Sequence, residues 1–111
     1  MEKYSMEDEI MNSKKLARYI LEIHECAERF SEAEYQKEQG NINHAIKLHK
    51  LNIESDVNYP ASYFSLAKLY HELGDSINEK LILKKAIDEC ESSDVVKNAE
   101  FHLKKLEKNR F

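Results

Sequence analysis

Apolar side chains recur along this chain every three or four residues, the spacing that places them on one face of an α-helix. Residues 1–8 are polar and we predict that they are frayed. Asn12 or Ser13 is a candidate cap for the first helix. No Gly or Pro interrupts residues 13–39, so we predict one long helix or two that meet near residues 24–26. Its apolar positions are Ile10, Leu16, Ile20, Ile23, Ala27, Phe30 and Ala33.

Four shorter helices are predicted after this segment, at about residues 43–55, 60–73, 76–91 and 95–108. Gly40 and Gly74 suit left-handed helix ends, Pro60 suits a first turn, and Ser76 with Glu79 resembles a capping box. Nothing predicts a strand, and the connections are short, so we predict an all-α fold of antiparallel helices. The predicted inner faces are Ala45, Ile46, Leu48, Leu51 or Asn52, and Ile53; Tyr63, Leu66, Ala67 and Tyr70; Ile77, Leu81, Leu83, Ala86, Ile87 and Cys90; and Val95, Ala99, His102 or Leu103, and Leu106.

One short segment occurs twice. Residues 30–40 read FSEAEYQKEQG and residues 64–74 read FSLAKLYHELG, an offset of 34 residues. Phe, Ser, Ala, Glu and Gly stand at equivalent places in the two copies, and the only two glycines of the chain end them. A fixed period of this size is typical of a helical repeat array.

The period and residue types resemble the tetratricopeptide repeat, whose motif reads W-x2-L-G-x2-Y, then A-x3-F, a later Ala and a Pro. The second copy matches through Tyr63, Leu66, Ala67, Tyr70, Gly74-Asp75 and Ala86, with Leu83 for the Phe, Glu79 for an Ala and Glu91 for the Pro. The first copy matches through Ala33, Gly40-Asn41 and Ala45-Ile46, whereas Arg29, Glu32, Gln36, His49 and Asn52 replace the aromatic, Leu, Tyr, Phe and later Ala. The resemblance implies a short α-solenoid with repeats at about residues 26–59 and 60–93, a flanking N-terminal helix and a C-terminal capping helix at about 94–109.

Composition favours one folded domain. The chain has 111 residues, 34% of them charged, and a formal net charge of −4, which disfavours contact with nucleic acid or anionic membranes. The acidic N-terminus is unlike a signal peptide, and no apolar run approaches the ~20 residues that span a bilayer. We therefore predict a cytoplasmic protein without membrane contact. Cys26 and Cys90 are predicted to be reduced thiols, with a single disulfide as the alternative.

No residue pattern predicts catalysis or a metal site. The histidines have no i, i+4 pair and no HExxH motif, and there is no phosphate loop or nucleophile–base signature. We therefore predict a protein that is not an enzyme and needs no cofactor or metal. A locally basic C-terminal third supports, as an alternative, a regulator that contacts nucleic acid. Its cationic residues are Lys84, Lys85, Lys97, Lys104, Lys105, Lys108 and Arg110.

A second stripe on the two repeat-opening helices is the candidate binding surface. Phe64, Lys68 and His71 lie at i, i+4 and i+7, about 100° around the helix from the Tyr63–Tyr70 stripe. The equivalent residues of the first copy are Phe30, Glu34 and Lys37. The resemblance implies that this side faces a concave groove, so we predict an adaptor that binds a peptide or helix of another protein there.

Two alternatives stay open for these surfaces. The phenylalanines could instead pack one helix against another, as aromatic residues at helical spacing usually do. The chain could also form a structural homodimer, in which exposed apolar residues of the first helix pack against a second copy. Those residues are Ile10, Met11, Tyr19 and Leu21.

Overall fold

A computed structural model describes residues 6–55 and 57–108. Within them the chain forms no strand and five helices: α1 (Met6–Glu38), α2 (Ile42–Glu54), α3 (Pro60–Glu72), α4 (Ser76–Glu89) and α5 (Ser93–Lys108). Each helix packs mainly on its neighbours in sequence. The protein is therefore an all-α, solenoid-like array, as predicted, and it measures 63 × 33 × 16 Å. No described helix is long and apolar enough to cross a membrane.

The first predicted segment is a single helix. α1 has 33 residues and is about 50 Å long. The predicted caps at Asn12 and Ser13 are wrong, because the helix is already formed at Met6 and both residues lie inside it. Acidic side chains in its first turn, residues 7–9, suit the positive end of the helix dipole. The predicted frayed residues are thus helical at 6–8, and residues 1–5 lie outside the described part of the chain.

The two glycines end α1 and α3 in the same way, as predicted. Gly40 has φ +85° and Gly74 has φ +73°. The Gly40 N–H donates to the Lys37 carbonyl at 3.0 Å, and the next N–H, from Asn41, donates to the Gln36 carbonyl at 2.8 Å. The same pair of bonds recurs after α3 at 3.0 and 2.9 Å. These are Schellman motifs, in which the N–H groups after the helix satisfy its last carbonyls. Both copies of the repeat therefore end at equivalent residues.

The start of α4 differs from the prediction. Asp75, not Ser76, is the N-cap, and its Oδ1 accepts from the Asn78 N–H at 3.1 Å. Hydrogen bonds from the Asn78 side chain and backbone lower the pKa of Asp75. Glu79 does not reach back to the helix start, because its carboxylate accepts from His71 instead. The predicted capping box is therefore wrong.

The main core lies between α3, α4 and α5. Its buried members include the whole predicted inner face of α3. Ile77 and Leu81 of the predicted α4 face are exposed, and Ile82 is buried in their place, because α4 packs through residues 79, 82, 83 and 86. Leu103, rather than His102, packs against the core from α5. The buried cluster is Ile53, Tyr63, Leu66, Ala67, Tyr70, Ile82, Leu83, Ala86 and Ala99.

The N-terminal half of α1 projects from this array. No residue between 6 and 25 is buried, and Leu16, Ile20 and Ile23 of the predicted inner face are exposed. The reason is length: α2 has 13 residues, about 20 Å, so it covers only the C-terminal part of α1.

Candidate functional site

A concave groove of about 460 Å³ opens between α3 and α5, with α4 beneath it. This volume is within the usual range for ligand sites. The predicted residues Phe64, Lys68 and His71 all line it. The remaining lining residues are Ala67, Glu79, Leu83, His102, Lys105 and Leu106.

The far wall of the groove repeats the positions of the near wall. His102 and Lys105 of α5 stand 34 residues after Lys68 and His71 of α3. The sequence alone predicts α5 as a capping helix, with Lys105 in a basic strip, and does not place His102 or Lys105 in the site. The 34-residue period could have found them, but the doubled segment is broken there because Asn98 replaces the phenylalanine.

The floor of the groove is apolar. It is formed by Phe64 and Ala67 of α3, Leu83 of α4 and Leu106 of α5. Phe64 is half-buried, packs against the main core, and its ring centroid lies 6.4 Å from that of His102. One part of Phe64 therefore supports the fold, and the rest remains available to an apolar side chain in the groove.

The rim of the groove carries two lysines on opposite walls. Lys68 comes from α3 and Lys105 from α5, and neither forms an ion pair within the described residues. Lys105 Nζ lies 5.4 Å from the centre of the Phe101 ring. The one acidic lining residue, Glu79, is 9% exposed, and its Oε1 lies 3.1 Å from His71 Nδ1. Because His71 engages that carboxylate, the two ammonium groups dominate the rim.

The predicted residues of the first copy do not join this groove. The half-buried Phe30 packs edge-on against His49 of α2 at 5.2 Å and lies 6.0 Å from Tyr59. Glu34 lies between Lys37 Nζ and His49 Nε2, each at 3.4 Å from one of its oxygens. Phe30, Glu34 and Lys37 therefore interact with α1 and α2 themselves, and the predicted site is divided into two unlike parts.

A buried polar network occupies the middle of the first copy. The Asn52 amide nitrogen donates to the Cys26 carbonyl at 2.9 Å and to Ser62 Oγ at 3.0 Å, and its oxygen accepts from Arg29 at 2.9 Å. His49 Nδ1 lies 3.2 Å from the same Ser62 oxygen. Asn52 rather than Leu51 is thus the inward residue of α2, because every polar atom of its amide has a partner.

This network has the outline of a serine–histidine–acid relay, through Ser62, His49 and Glu34. Burial lowers the pKa of His49, with Glu34 opposing that effect and Lys37 adding to it. Ser62 is 0% exposed, so its hydroxyl cannot meet a substrate. His49 Nε2 is buried without a well-formed hydrogen bond and lies 3.4 Å from a Glu34 oxygen.

The two cysteines lie apart from the groove. Cys26 and Cys90 are free thiols, and burial raises the pKa of Cys90. No three His, Cys, Asp or Glu side chains of the described residues come together as a metal-binding group. Among the basic residues of the C-terminal third, Lys85 pairs with Glu89 at 3.4 Å, and Arg110 lies outside the described residues.

In the three comparisons made, the chain matches no protein-family model, no curated protein and no solved structure.

Proposed function

We propose that the protein is a tetratricopeptide-like, non-enzymatic adaptor whose groove between α3 and α5 binds an amphipathic segment of another protein. The observation that carries this proposal is the apolar floor lying between lysines from two different helices, Lys68 and Lys105. Recognition of a peptide or helix in a groove uses an apolar anchor in a desolvated pocket and charged groups at its edge. The free thiols favour a reducing compartment, in keeping with a cytoplasmic adaptor.

The charges of the rim specify the chemistry of the partner. Two ammonium groups on opposite walls attract a segment that carries carboxylates on both sides of its apolar residue. A segment with lysines in those places would be repelled. The groove therefore favours a helix or peptide with one apolar stripe flanked by glutamates or aspartates.

A direct binding measurement tests this proposal. The probe is a short fluorescent helical peptide with leucines on one face and glutamates beside them, and its counterpart has lysines in place of the glutamates. We expect fluorescence anisotropy to show binding of the acidic peptide alone, weakened by salt because exposed charges are screened. Lys68→Glu with Lys105→Glu should reduce its affinity about tenfold or more.

The matched control is Lys84→Glu with Lys97→Glu, which changes the net charge equally at exposed positions outside the groove. It should keep most of the affinity. If the groove variant and the wild type bound the peptide with equal affinity, and circular dichroism showed both to be folded, the groove would not be the binding site. Capture from the native host with wild type, the groove variant and this control would then identify the partner.

A further inference from the structure

We propose that the groove of one copy is occupied by the beginning of α1 from a second copy of this chain. This inference rests on the proposed function, because it takes the α3–α5 groove as a binding site. The proposed occupant is a segment of the chain itself whose apolar side chains are exposed.

The beginning of α1 carries exposed apolar side chains that no other described helix covers. Met6 is 75% exposed and Ile10 is 52% exposed, and no residue from 6 to 25 is buried. The first 12 residues of α1, at 6–17, are all exposed, and an isolated helix of that length is only marginally stable in water. A partner that covers its apolar side chains would therefore stabilise it.

The apolar stripe at this end cannot be covered by its own array. At about 100° per residue, Met6, Ile10 and Ala17 share one side of α1. Cys26 and Ala33, through which α1 packs on the rest of the chain, lie on the side about 180° away. Among the described residues, the stripe therefore points away from the helices on which α1 packs.

In the first turn of α1, the charges beside the stripe match those of the groove. Glu7 and Glu9 lie on opposite sides of the Met6–Ile10 stripe, each about 80° from its centre. The groove has the complementary order, with an apolar floor between Lys68 and Lys105. The beginning of α1 is thus the kind of segment that the groove favours, an apolar stripe between two carboxylates.

The order of the helices makes the second copy the natural source of this segment. Because the helices pack in sequence order, α1 stands at one end of the array and the groove beside α5 at the other. A two-fold, antiparallel pair of molecules brings the beginning of each α1 to the α5 end of its partner. Each contact is small, so we expect association in the micromolar range or weaker.

Sedimentation velocity on the full chain, from about 1 μM to about 500 μM, tests this inference over the range expected for small interfaces. We expect a monomer–dimer equilibrium that weakens with salt. Glu7→Lys with Glu9→Lys, and separately Lys68→Glu with Lys105→Glu, should each raise the dissociation constant about tenfold or more. An equimolar mixture of the two variants should associate again, because each lysine-bearing α1 then meets a glutamate-bearing groove. The matched control for α1 is Glu25→Lys with Glu28→Lys, which should associate as the wild type does.

Two results would overturn the inference. The first is a monomer at every concentration. The second is a dimer that keeps its affinity in the Lys68→Glu, Lys105→Glu variant but loses it with Leu16→Glu and Ile20→Glu, since that dimer would pair α1 with α1. The acidic probe peptide distinguishes these failures from failure of the groove itself. If the groove still binds that peptide in a Lys68- and Lys105-dependent manner, the proposed function stands and only the self-docking is wrong.

Discussion

The two copies of the repeat have the same ends but different interiors. Both end in a glycine Schellman motif, whereas three packed positions between their helices are polar in the first copy and apolar in the second. The equivalent positions are Arg29 and Tyr63, His49 and Leu83, and Asn52 and Ala86. In the first copy Arg29 and Asn52 bond to each other, and His49 shares Ser62 with Asn52. Departures from the repeat motif that appear independent in the sequence are therefore joined into one network.

The same difference extends to the outer surface. In the first copy Glu34 interacts with Lys37 and His49. In the second copy Lys68 stands in the place of Glu34, without an ion pair within the described residues, above an apolar floor. The comparison teaches that the charged residue of the polar copy, Glu34, is engaged within that copy, whereas its counterpart in the apolar copy, Lys68, stands unpaired among the described residues beside an apolar groove.

The largest effect is expected when a residue of the polar copy is placed in the apolar one. Leu83→His should lower the free energy of unfolding by about 3–5 kcal/mol, because it removes buried aliphatic contacts and leaves an imidazole without partners. Urea denaturation followed by circular dichroism measures the change, with Leu83→Met as the control that should cost less than about 1.5 kcal/mol. A Leu83→His protein as stable as the wild type would show that the two interiors are interchangeable.

A smaller effect is expected from breaking the polar network. Asn52→Ala removes the hydrogen bonds that Asn52 makes to the Cys26 carbonyl and the Arg29 guanidinium, and we expect a loss of about 2–3 kcal/mol. Arg29→Tyr, His49→Leu and Asn52→Ala together supply the residues of the second copy and should recover part of that loss. If the triple variant were less stable than Asn52→Ala alone, the three positions would not form one exchangeable unit.

The smallest effect concerns acid. Burial lowers the pKa of His49 from its ordinary value of 6.5, so the folded state binds a proton there less readily than the unfolded chain. The stability that this histidine contributes is complete above pH 6.5 and is lost as the pH falls towards the lowered pKa. His49→Leu should therefore flatten the decline in unfolding free energy below pH 6.5, as urea titrations at several pH values would measure.

His44→Leu is the matched control for that experiment, because it removes an exposed histidine from the same helix. An equal flattening in both variants would mean that the burial of His49 does not cause the acid sensitivity.

The sequence predicts the helices well because their punctuation is local. Gly40, Gly74 and Pro60 act through backbone geometry alone, and each marks its helix end or start where the structure has it. Tyr63 and Tyr70 are likewise predicted by spacing, because α3 is covered on its inner face along its whole length.

The candidate site is less predictable, because it depends on which helix meets which. Phe30 and Phe64 are equivalent in sequence, yet only Phe64 borders a groove, since His49 and Tyr59 cover Phe30. The exposure of Leu16 and Ile20 depends on the length of α2, which no pattern within α1 encodes. The sequence shows only that Asn52 is polar. Its inward position depends on three hydrogen-bond partners elsewhere in the chain, which no local pattern identifies.

The central claim is that the second copy, and not the first, presents the binding surface. The most direct measurement is a ¹⁵N NMR titration of the protein, kept at low concentration, with the acid-flanked helical peptide. We predict shifts of the backbone amides that concentrate on Lys68 of α3 and on His102 and Lys105 of α5. Shifts centred instead on Glu34 and Lys37, or no shifts at saturating peptide, would contradict the account.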